Sequence, residues 1–315
     1  MLNEHIARGV GPSRIDIAYE QRGNPTHPTV LLVMGIAAQL VNWPLGFLDA
    51  LVKRELRVVR FDNRDSGHST HLREAPPANL PAALGGDLSS VSYTLSDMAA
   101  DAVGLLDVLN IGAAHVVGAS MGGAIAQTMA IQHPKRVLSL TSMMSTTGDM
   151  SVGQVHPATM KAVFGGPPAR TREEVVARAV RAFEVIGSPA FPTDPAQVAE
   201  VAGLAYDRDH EEAAIARQAV ATVASGDRTK LLRTLDVPTL VLHGLADTLC
   251  DPSGGRATAA AIPGAELVLI EGMGHNLPPG LWERIADHIA ETVRRGAART
   301  RPAPVAASGG THSGQ

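Results

Sequence analysis

The sequence predicts an α/β protein with a doubly wound, mostly parallel sheet and an inserted helical cap. Short, continuous runs of Val, Leu and Ile alternate with helical segments along the 315 residues. Such runs indicate strands buried on both faces, as in a parallel sheet covered by helices. A long interval without a run, between residues 141 and 239, interrupts the alternation. Because 45% of the residues are hydrophobic, the chain can bury a sizeable core.

Seven apolar runs are the predicted strands, and they cover residues 15–20, 29–34, 58–62, 114–118, 137–141, 239–243 and 266–270. Helices are predicted between them. A capping signal at Thr94 and Asp97 precedes an apolar-periodic stretch at residues 98–109. A last helix is indicated by apolar residues at a spacing of four, namely Leu281, Ile285, Ile289 and Val293.

The interval between the fifth and sixth predicted strands is the predicted cap. A parallel crossover needs only a dozen or more residues, whereas about a hundred lie here. A capping box at Thr171 and Glu174 and an Asp194-Pro195 start each indicate a helix, and a third is predicted from Asp209 to Gly226. We therefore predict a core of residues 1–147 and 233–295 and a cap of residues 148–232. A separate domain is the alternative for the cap.

The last twenty residues, 296–315, are rich in Ala, Gly, Pro and Ser and show no periodicity, which predicts a disordered tail. The net charge is −4 and no basic run stands out, so neither nucleic acid nor an anionic membrane is the expected partner. The single cysteine, Cys250, excludes an intramolecular disulfide framework and a cysteine-cluster metal site. No apolar run reaches the roughly 20 residues of a membrane span, and no secretory signal is visible. We expect a cytoplasmic protein, monomeric or homodimeric.

The most informative motif is Gly118-Ala119-Ser120-Met121-Gly122, which follows a predicted strand and opens a predicted helix. A serine hydroxyl is a weak nucleophile, and it needs a nearby base and backbone donors. A sharp strand-to-helix turn holds the hydroxyl out for such partners, and glycines let the chain pass close to itself there. The alternative for Ser120 is an ordinary turn serine.

Two later strand ends carry the acid and the base that such a serine requires. Asp247 follows the strand at 239–243, and His275 follows the strand at 266–270. Strand carboxyl ends meet at one edge of a parallel sheet, and the order Ser, Asp, His suits this topology. Asp149 is a rival for the acid because it also follows a strand. His68 and His71 share a loop, but no carboxylate lies at ligand spacing, so we expect no zinc site there.

These motifs, together with Val33-Met34-Gly35 and the loop from Asp62 to Ser69, resemble the α/β-hydrolase superfamily over residues 12–295. The resemblance is strongest to the aclacinomycin methylesterases and related bacterial esterases. It implies the α/β-hydrolase fold, with Ser120 as nucleophile, Asp247 as acid and His275 as base.

The same resemblance assigns the oxyanion donors to the backbone N–H groups of Ile36 and Met121. Met34 departs from the family pattern, because many members have a histidine there.

The expected function is hydrolysis of carboxylic esters of apolar, medium-sized substrates through an acyl-enzyme, without a cofactor or a metal. The resemblance implies a small-molecule methyl ester of a bulky polycyclic acid. Other reactions remain open on the same triad: C–C bond hydrolysis, lactone hydrolysis and cofactor-free haloperoxidase or perhydrolase activity. A non-catalytic ligand receptor is a further alternative. The predicted substrate-binding residues are Trp43, Met143, Met144, Met160, Phe164 and Phe183.

Overall fold

The computed structural model describes residues 2–166 and 169–300. Its strands form one eight-stranded sheet in the order β1-β2-β4-β3-β5-β6-β7-β8. The first two pairings, β1 with β2 and β2 with β4, are antiparallel, and all the others are parallel. This confirms the predicted fold class. The strands are β1 Glu4–Val10, β2 Ile15–Arg22, β3 Thr29–Val33, β4 Arg57–Phe61, β5 Ala114–Ala119, β6 Val137–Met143, β7 Thr239–Gly244 and β8 Glu266–Ile270.

Helices cover both faces of the sheet, and they follow the predicted alternation. They are α1 Leu45–Val52, α2 Leu80–Leu84, α3 Leu95–Val108, α4 Met121–Gln132, α5 Pro157–Phe164, α6 Arg172–Ile186, α7 Pro195–Arg208, α8 Glu212–Ala224, α9 Thr229–Leu232, α10 Ser253–Ala261 and α11 Trp282–Thr300. Within residues 2–166 and 169–300, each helix is too short or too polar to span a bilayer.

Strand β3 shows why the apolar runs are continuous. Leu31 and Val33 pack with α3 and α4 on one face, whereas Val30 and Leu32 pack with α1 and α11 on the other. All four side chains are fully buried. A strand covered on both faces has no polar side, so its sequence shows no alternation.

Strand β1 was not predicted, and its burial pattern explains why. It lies at the edge of the sheet, and only Ala7 and Val10 of its seven residues are buried. An edge strand with one partner and a mostly exposed surface needs no apolar run.

Five helices, α5 to α9, lie in the chain between β6 and β7, in the cap segment (residues 148–232). The capping box at Thr171 is present, and the Glu174 N–H donates to its hydroxyl at 3.2 Å. The third predicted helix is shorter than expected and runs over Glu212–Ala224. Helix α5 was not predicted.

The predicted start of the tail is wrong. Helix α11 continues past Gly296 to Thr300, and Arg299 pairs with Asp236 at 2.8 Å. Gly296 lies against the backbone of β6, where an added Cβ would come within 2.6 Å of the Leu138 carbonyl oxygen. Gly296 is therefore small because α11 packs closely on β6 at this point, and it does not mark the end of the helix. Residues 301–315 lie outside the described part of the chain.

Candidate active site

Ser120 lies at the turn between β5 and α4, with an unusual backbone conformation (φ 56°, ψ −124°). A positive φ is costly for a residue with a side chain and persists only where the surroundings enforce it. The chain packs closely around this turn, because a Cβ on Gly118 would overlap the Gly122 backbone and a Cβ on Gly122 would overlap the Val33 carbonyl. The sequence folds into this turn because both flanking positions are glycine.

Two backbone segments lie close to the Ser120 side chain and could supply oxyanion donors. Met121 is the first residue of α4, and the first N–H groups of a helix have no partner within it. Gly35 lies beside the serine, where an added Cβ would stand 3.1 Å from the Ser120 Cβ and 3.6 Å from its Oγ. The chain therefore brings both predicted donor segments, at Ile36 and Met121, to the side of this serine.

Asp247 and His275 are in contact. The His275 Nδ1 lies 2.7 Å from the Asp247 Oδ2. Because an ionised carboxylate can only accept, the proton of the neutral imidazole lies on Nδ1 and the lone pair on Nε2. The Ser120 Oγ makes no hydrogen bond within the described residues, so its contact with His275 stays a prediction.

Hydrogen bonds keep the buried Asp247 ionised. The backbone N–H groups of Leu249 and Cys250 donate to its Oδ1 at 2.9 and 2.8 Å. Burial alone raises the pKa of this carboxyl, but attraction to the protonated form of His275, hydrogen bonds from His243 and His275, and the Cys250 N–H together hold the pKa well below its usual value. Asp247 is thus a fixed negative charge facing the imidazole of His275.

Asp149, the rival acid, has a different role in the structure. Its Oδ1 accepts from the N–H and the hydroxyl of Ser151, both at 2.8 Å. This is a local turn two residues long. His275 makes its carboxylate contact with Asp247.

Hydrogen bonds from the loop after β4 hold the chain segment that contains Ile36. The Asn63 Nδ2 donates to the Met34 carbonyl at 2.9 Å, and the Ser66 hydroxyl donates to the Ala38 carbonyl at 2.7 Å. Asp62 accepts from the Leu40 N–H at 2.6 Å. The sequence motif from Asp62 to Ser69 therefore supports the segment from Met34 to Leu40.

The cap segment holds the loop that carries His275. The His275 N–H donates to the Ile186 carbonyl at 2.7 Å, and the Gly274 N–H donates to the Ser188 hydroxyl at 2.9 Å. A Cβ on Gly274 would overlap the Ile186 and Gly187 carbonyl oxygens. The two chain segments are therefore in close backbone contact, and no sequence motif predicts these hydrogen bonds of the Ile186 carbonyl and the Ser188 hydroxyl.

The loop between β7 and α10, residues 245–252, carries Asp247 and is here called the acid loop. Of the predicted substrate-binding residues, Phe183 lines a cavity of about 420 Å³ beside this acid loop. Its wall also includes Ser188, Ala246 and Thr248, and the last two flank Asp247. Met143 and Met144 are buried at the end of β6, where the Met143 carbonyl accepts from the Ser120 N–H at 2.9 Å.

The substrate-wall role of Trp43, Met160 and Phe164 stays a prediction. Trp43 is fully buried in the core and stacks on Phe47, with ring centroids 5.9 Å apart. Met160 and Phe164 are 48% and 60% exposed. Thr159 is the buried residue of α5, so this helix turns a different face inward from the one its apolar residues indicated.

Carboxylates do approach His71, contrary to the expectation from sequence spacing. Asp209 and Glu211, both from the cap segment, have oxygens 3.4 Å from its ring nitrogens. Glu211 is also bound by Arg73 and Arg217, each at 3.0 Å. The guanidinium groups already balance this carboxylate, so the cluster is an ionic contact between the cap segment and the rest of the chain.

Cys250 is buried, and this burial raises the pKa of its thiol, as do the charges of Asp247 and Asp251. Its side chain is therefore a poor nucleophile at neutral pH. Cys250 contacts the candidate site through its backbone, because its N–H donates a hydrogen bond to Asp247.

The chain is similar to known hydrolases over most of its length. The sequence pattern of the family described as alpha/beta hydrolase fold matches residues 28–279. A rhodomycin D methylesterase, DnrP, from Streptomyces peucetius is 29% identical over 295 residues, which cover 87% of this chain and 94% of that protein.

Solved structures share the fold. A meta-cleavage product hydrolase from Pseudomonas fluorescens IP01 superposes with a TM-score of 0.69 at 20% identity, covering 92% of this chain and 98% of that one. The enol-lactonase from Burkholderia xenovorans LB400 superposes with a TM-score of 0.65 at 24% identity, covering 93% and 100%.

Proposed function

Because the chain belongs to the alpha/beta hydrolase fold family, we propose that it is a serine hydrolase that cleaves carboxylic esters. The observation that carries the proposal is the 2.7 Å contact between the His275 Nδ1 and the Asp247 Oδ2, at the sheet edge where Ser120 forms a strained turn. Each of the three residues follows the carboxyl end of a parallel strand: β5, β7 or β8. Ester hydrolysis is the activity that both the family and the methylesterase relative support.

In the first half of the proposed reaction, the Ser120 Oγ attacks the ester carbonyl carbon and its proton passes to the His275 Nε2. Asp247 holds the imidazole in the tautomer that leaves this nitrogen free and stabilises the imidazolium that forms. The backbone N–H groups of Ile36 and Met121 donate to the oxyanion of the tetrahedral intermediate. Collapse of the intermediate expels the alcohol, which takes the proton from Nε2 and leaves an acyl-serine.

In the second half, water attacks the acyl-serine and gives its proton to the His275 Nε2. Collapse of the second tetrahedral intermediate releases the carboxylic acid and returns the proton to the Ser120 Oγ. The chain needs no redox partner for these steps, because each one moves a proton and an acyl group.

For the substrate, we propose an ester of a medium-sized, largely apolar acid, with methanol as the leaving alcohol. A partly open cavity of about 420 Å³ beside the acid loop has apolar walls from Phe183 and Val198 and polar groups from Ser188 and Thr193; Ser120 and His275 do not line it, so we propose that it receives the part of the substrate remote from the ester carbonyl. Pockets of this kind bind apolar bodies and use a few polar groups to orient them. The methylesterase relative supports the methyl group.

We also propose that residues 148–232 form a cap on a core made of residues 1–147 and 233–295. The contacts of Ile186 and Ser188 with the His275 loop support this division, because they join the cap segment to the site at the sheet edge. The cavity beside Asp247 is lined by both parts of the chain.

The decisive experiment combines activity with covalent labelling. Hydrolysis of short-chain p-nitrophenyl esters and of aryl methyl esters is measured for the wild type and for Ser120→Ala. Loss of the nucleophile lowers kcat by roughly 10⁶-fold in comparable enzymes, so we expect almost no turnover. A fluorophosphonate should label the wild type on the peptide that contains Ser120 and leave the variant unlabelled. Ser151→Ala, in an exposed turn, is the matched serine control and should behave like the wild type.

A β-diketone and a lactone are included in the same substrate panel, because the same triad could open either of them. Substantial ester hydrolysis by Ser120→Ala would overturn the proposal. Rapid cleavage of the β-diketone together with inert esters would replace it with C–C bond hydrolysis. A ligand that raises the melting temperature while no substrate turns over would indicate a receptor.

A further inference from the structure

The cap segment reaches the predicted oxyanion segment through one buried side chain, Gln218 of α8. Its Oε1 accepts from the Ala37 N–H at 3.0 Å, and its Nε2 donates to the Arg64 carbonyl at 2.9 Å. Gln218 is fully buried, and 181 sequence positions separate it from Ala37. A cap residue therefore bonds directly to the peptide that follows Ile36.

We propose that Gln218 is a positioning residue that holds the Ile36 N–H in the direction needed to bind the oxyanion. The inference rests on the proposed function and deepens it, because it makes one cap side chain part of the machinery that binds the transition state. Gln218 itself does not touch the substrate in this proposal; it acts through the backbone of Ala37.

The conformation of Ala37 is the first argument. Its φ is +57°, a left-handed conformation that is sterically disfavoured for an alanine. Ala37 is exposed, so no packing of its side chain enforces this geometry. The hydrogen bond to Gln218 and that of the neighbouring Ala38 carbonyl to Ser66 at 2.7 Å provide the constraint.

The hydrogen bonds fix the chain on both sides of the predicted donor peptide. The Met34 carbonyl is fixed by Asn63 at 2.9 Å, and the Ala37 N–H is fixed by Gln218 at 3.0 Å. The Gly35–Ile36 peptide, whose N–H is the predicted donor, lies between these two fixed points. If the Ala37 N–H were released, Ala37 could relax to negative φ and the peptides before it would turn.

The glutamine side chain has the hydrogen-bonding groups that this position requires. The site needs one acceptor, for Ala37, and one donor, for the Arg64 carbonyl, on the same short terminal group. A glutamine amide provides both, whereas a carboxylate provides only acceptors and a methionine provides neither. Ion pairs fix the residues on either side of this hydrogen bond. Arg217, next to Gln218, pairs with Asp65, and Arg64, whose carbonyl accepts from Gln218, pairs with Asp101.

The test uses two variants at this position and one matched control. Gln218→Met keeps the length and removes both hydrogen bonds, and Gln218→Glu keeps an acceptor for Ala37. Ser225→Ala removes another hydrogen bond of the same kind at the end of the same helix, because the Ser225 hydroxyl accepts from the Leu95 N–H at 2.9 Å. Leu95 is the first residue of α3, a helix that contains neither predicted oxyanion donor.

A positioning role predicts a loss in kcat that a structural role alone would not produce. Removal of a whole oxyanion donor costs about 10²–10³-fold in comparable enzymes, so we expect Gln218→Met to lower kcat by roughly 10- to 100-fold with little change in KM. Gln218→Glu should lose less. An aryl trifluoromethyl ketone forms an oxyanion when the serine adds to it. Its inhibition constant should rise by the same factor by which kcat/KM falls. Ser225→Ala should keep both values within about twofold.

The results separate this inference from the proposed function. If Ser120→Ala is inactive but Gln218→Met matches Ser225→Ala in kcat and in ketone inhibition, the inference is wrong and the triad stands. A change confined to KM would also overturn it and would assign Gln218 to the pocket. If Gln218→Met does not fold, Gln218→Glu decides by the same two measurements. If Ser120→Ala remains active, the proposed function itself fails.

Discussion

The Nε2 of His243 lies 3.3 Å from the Asp247 Oδ2, the same oxygen that lies 2.7 Å from the His275 Nδ1. His243 is fully buried, and its Nε2 also lies 2.8 Å from the Cys250 carbonyl. Both neighbours of this nitrogen are acceptors, so it carries the proton of the ring. Two histidines and two backbone N–H groups therefore surround one carboxylate, and this arrangement fixes its position.

The first prediction concerns this acid. Asp247→Asn should fold and lose about 10⁴-fold in kcat, because an amide does not hold His275 in the tautomer that frees Nε2. The measurement is steady-state hydrolysis of a p-nitrophenyl ester. Asp149→Asn is the control and should stay within a few-fold of the wild type, since Asp149 only closes a turn with Ser151. The reverse outcome would assign the acid to Asp149.

The second prediction compares two glycines near the nucleophile. A Cβ on Gly35 would lie 3.1 Å from the Ser120 Cβ and 3.2 Å from the Ala119 carbonyl oxygen, which a shift of a few tenths of an ångström could relieve. A Cβ on Gly118 would overlap the backbone of Gly122. We expect Gly35→Ala to fold with reduced kcat, and Gly118→Ala to lose stability as well. Circular dichroism melting and ester hydrolysis separate the two effects, and equal melting temperatures for both variants would contradict the argument.

The sequence predicted the central parallel strands β3, β5 and β7 because burial on both faces produces a local signal. The runs for β3 and β5 differ from the strands by one residue at one end, and the run for β4 is shifted by one residue. The run at 266–270 coincides with β8, an edge strand in which only Val268 and Ile270 are buried. The predicted site residues follow the same strands, so correct strands bring their loops to one edge. Strand β1 gave no such signal because most of its surface is exposed.

Other features depended on partners that are distant in sequence. Helix α5 buries Thr159, whose hydroxyl bonds to Thr248 at 2.8 Å, and this choice leaves Met160 exposed. Nothing in the local pattern states which face meets the acid loop. Gln218 is an unremarked residue in a helix until the fold brings Ala37 to it. The sequence does not state that Trp43 stacks on Phe47, because this contact too forms only in the fold.

The third prediction is a loss of stability in mild acid through His115, a buried residue of β5. Burial lowers the pKa of this imidazole from 6.5 to about 4. Below pH 6.5 the unfolded chain binds a proton at this position that the folded protein does not bind until pH falls to about 4. Stability is therefore complete above pH 6.5 and is lost as pH falls towards 4, with a contribution of about 2 kcal/mol already lost at pH 5.

The measurement is urea unfolding at pH 8 and at pH 5 for the wild type and for His115→Asn. The asparagine does not titrate and can still bond to the Ser139 hydroxyl, which lies 2.8 Å from the His115 Nδ1. The variant should lose less stability than the wild type between the two pH values. At pH 8 the His115 ring is neutral in the folded and in the unfolded protein. The difference in unfolding free energy between the wild type and the variant at this pH therefore gives the cost of the substitution alone. Parallel pH dependences would rule out a buried neutral His115.

The fourth prediction concerns the ion pair that joins the cap segment to the loop after β4. Arg217 of α8 binds both oxygens of Asp65, at 2.8 and 2.7 Å, and the two side chains are 4% and 0% exposed. Removing one partner of a buried pair leaves the other charge without compensation. We therefore expect Arg217→Met to lower the free energy of unfolding by about 3–5 kcal/mol.

Replacing both partners tests this reason directly. In Arg217→Met combined with Asp65→Asn no buried charge is stranded, so the double variant should be more stable than Arg217→Met alone. Arg172→Met is the control for losing an arginine of the cap segment, since its pair with Asp207 is exposed and should leave the unfolding midpoint nearly unchanged. Chemical denaturation of the four proteins gives the comparison. The double variant could instead have a lower free energy of unfolding than Arg217→Met. In that case the stranded charge is not the cause of the loss, and Arg217 acts through packing of its side chain against the loop.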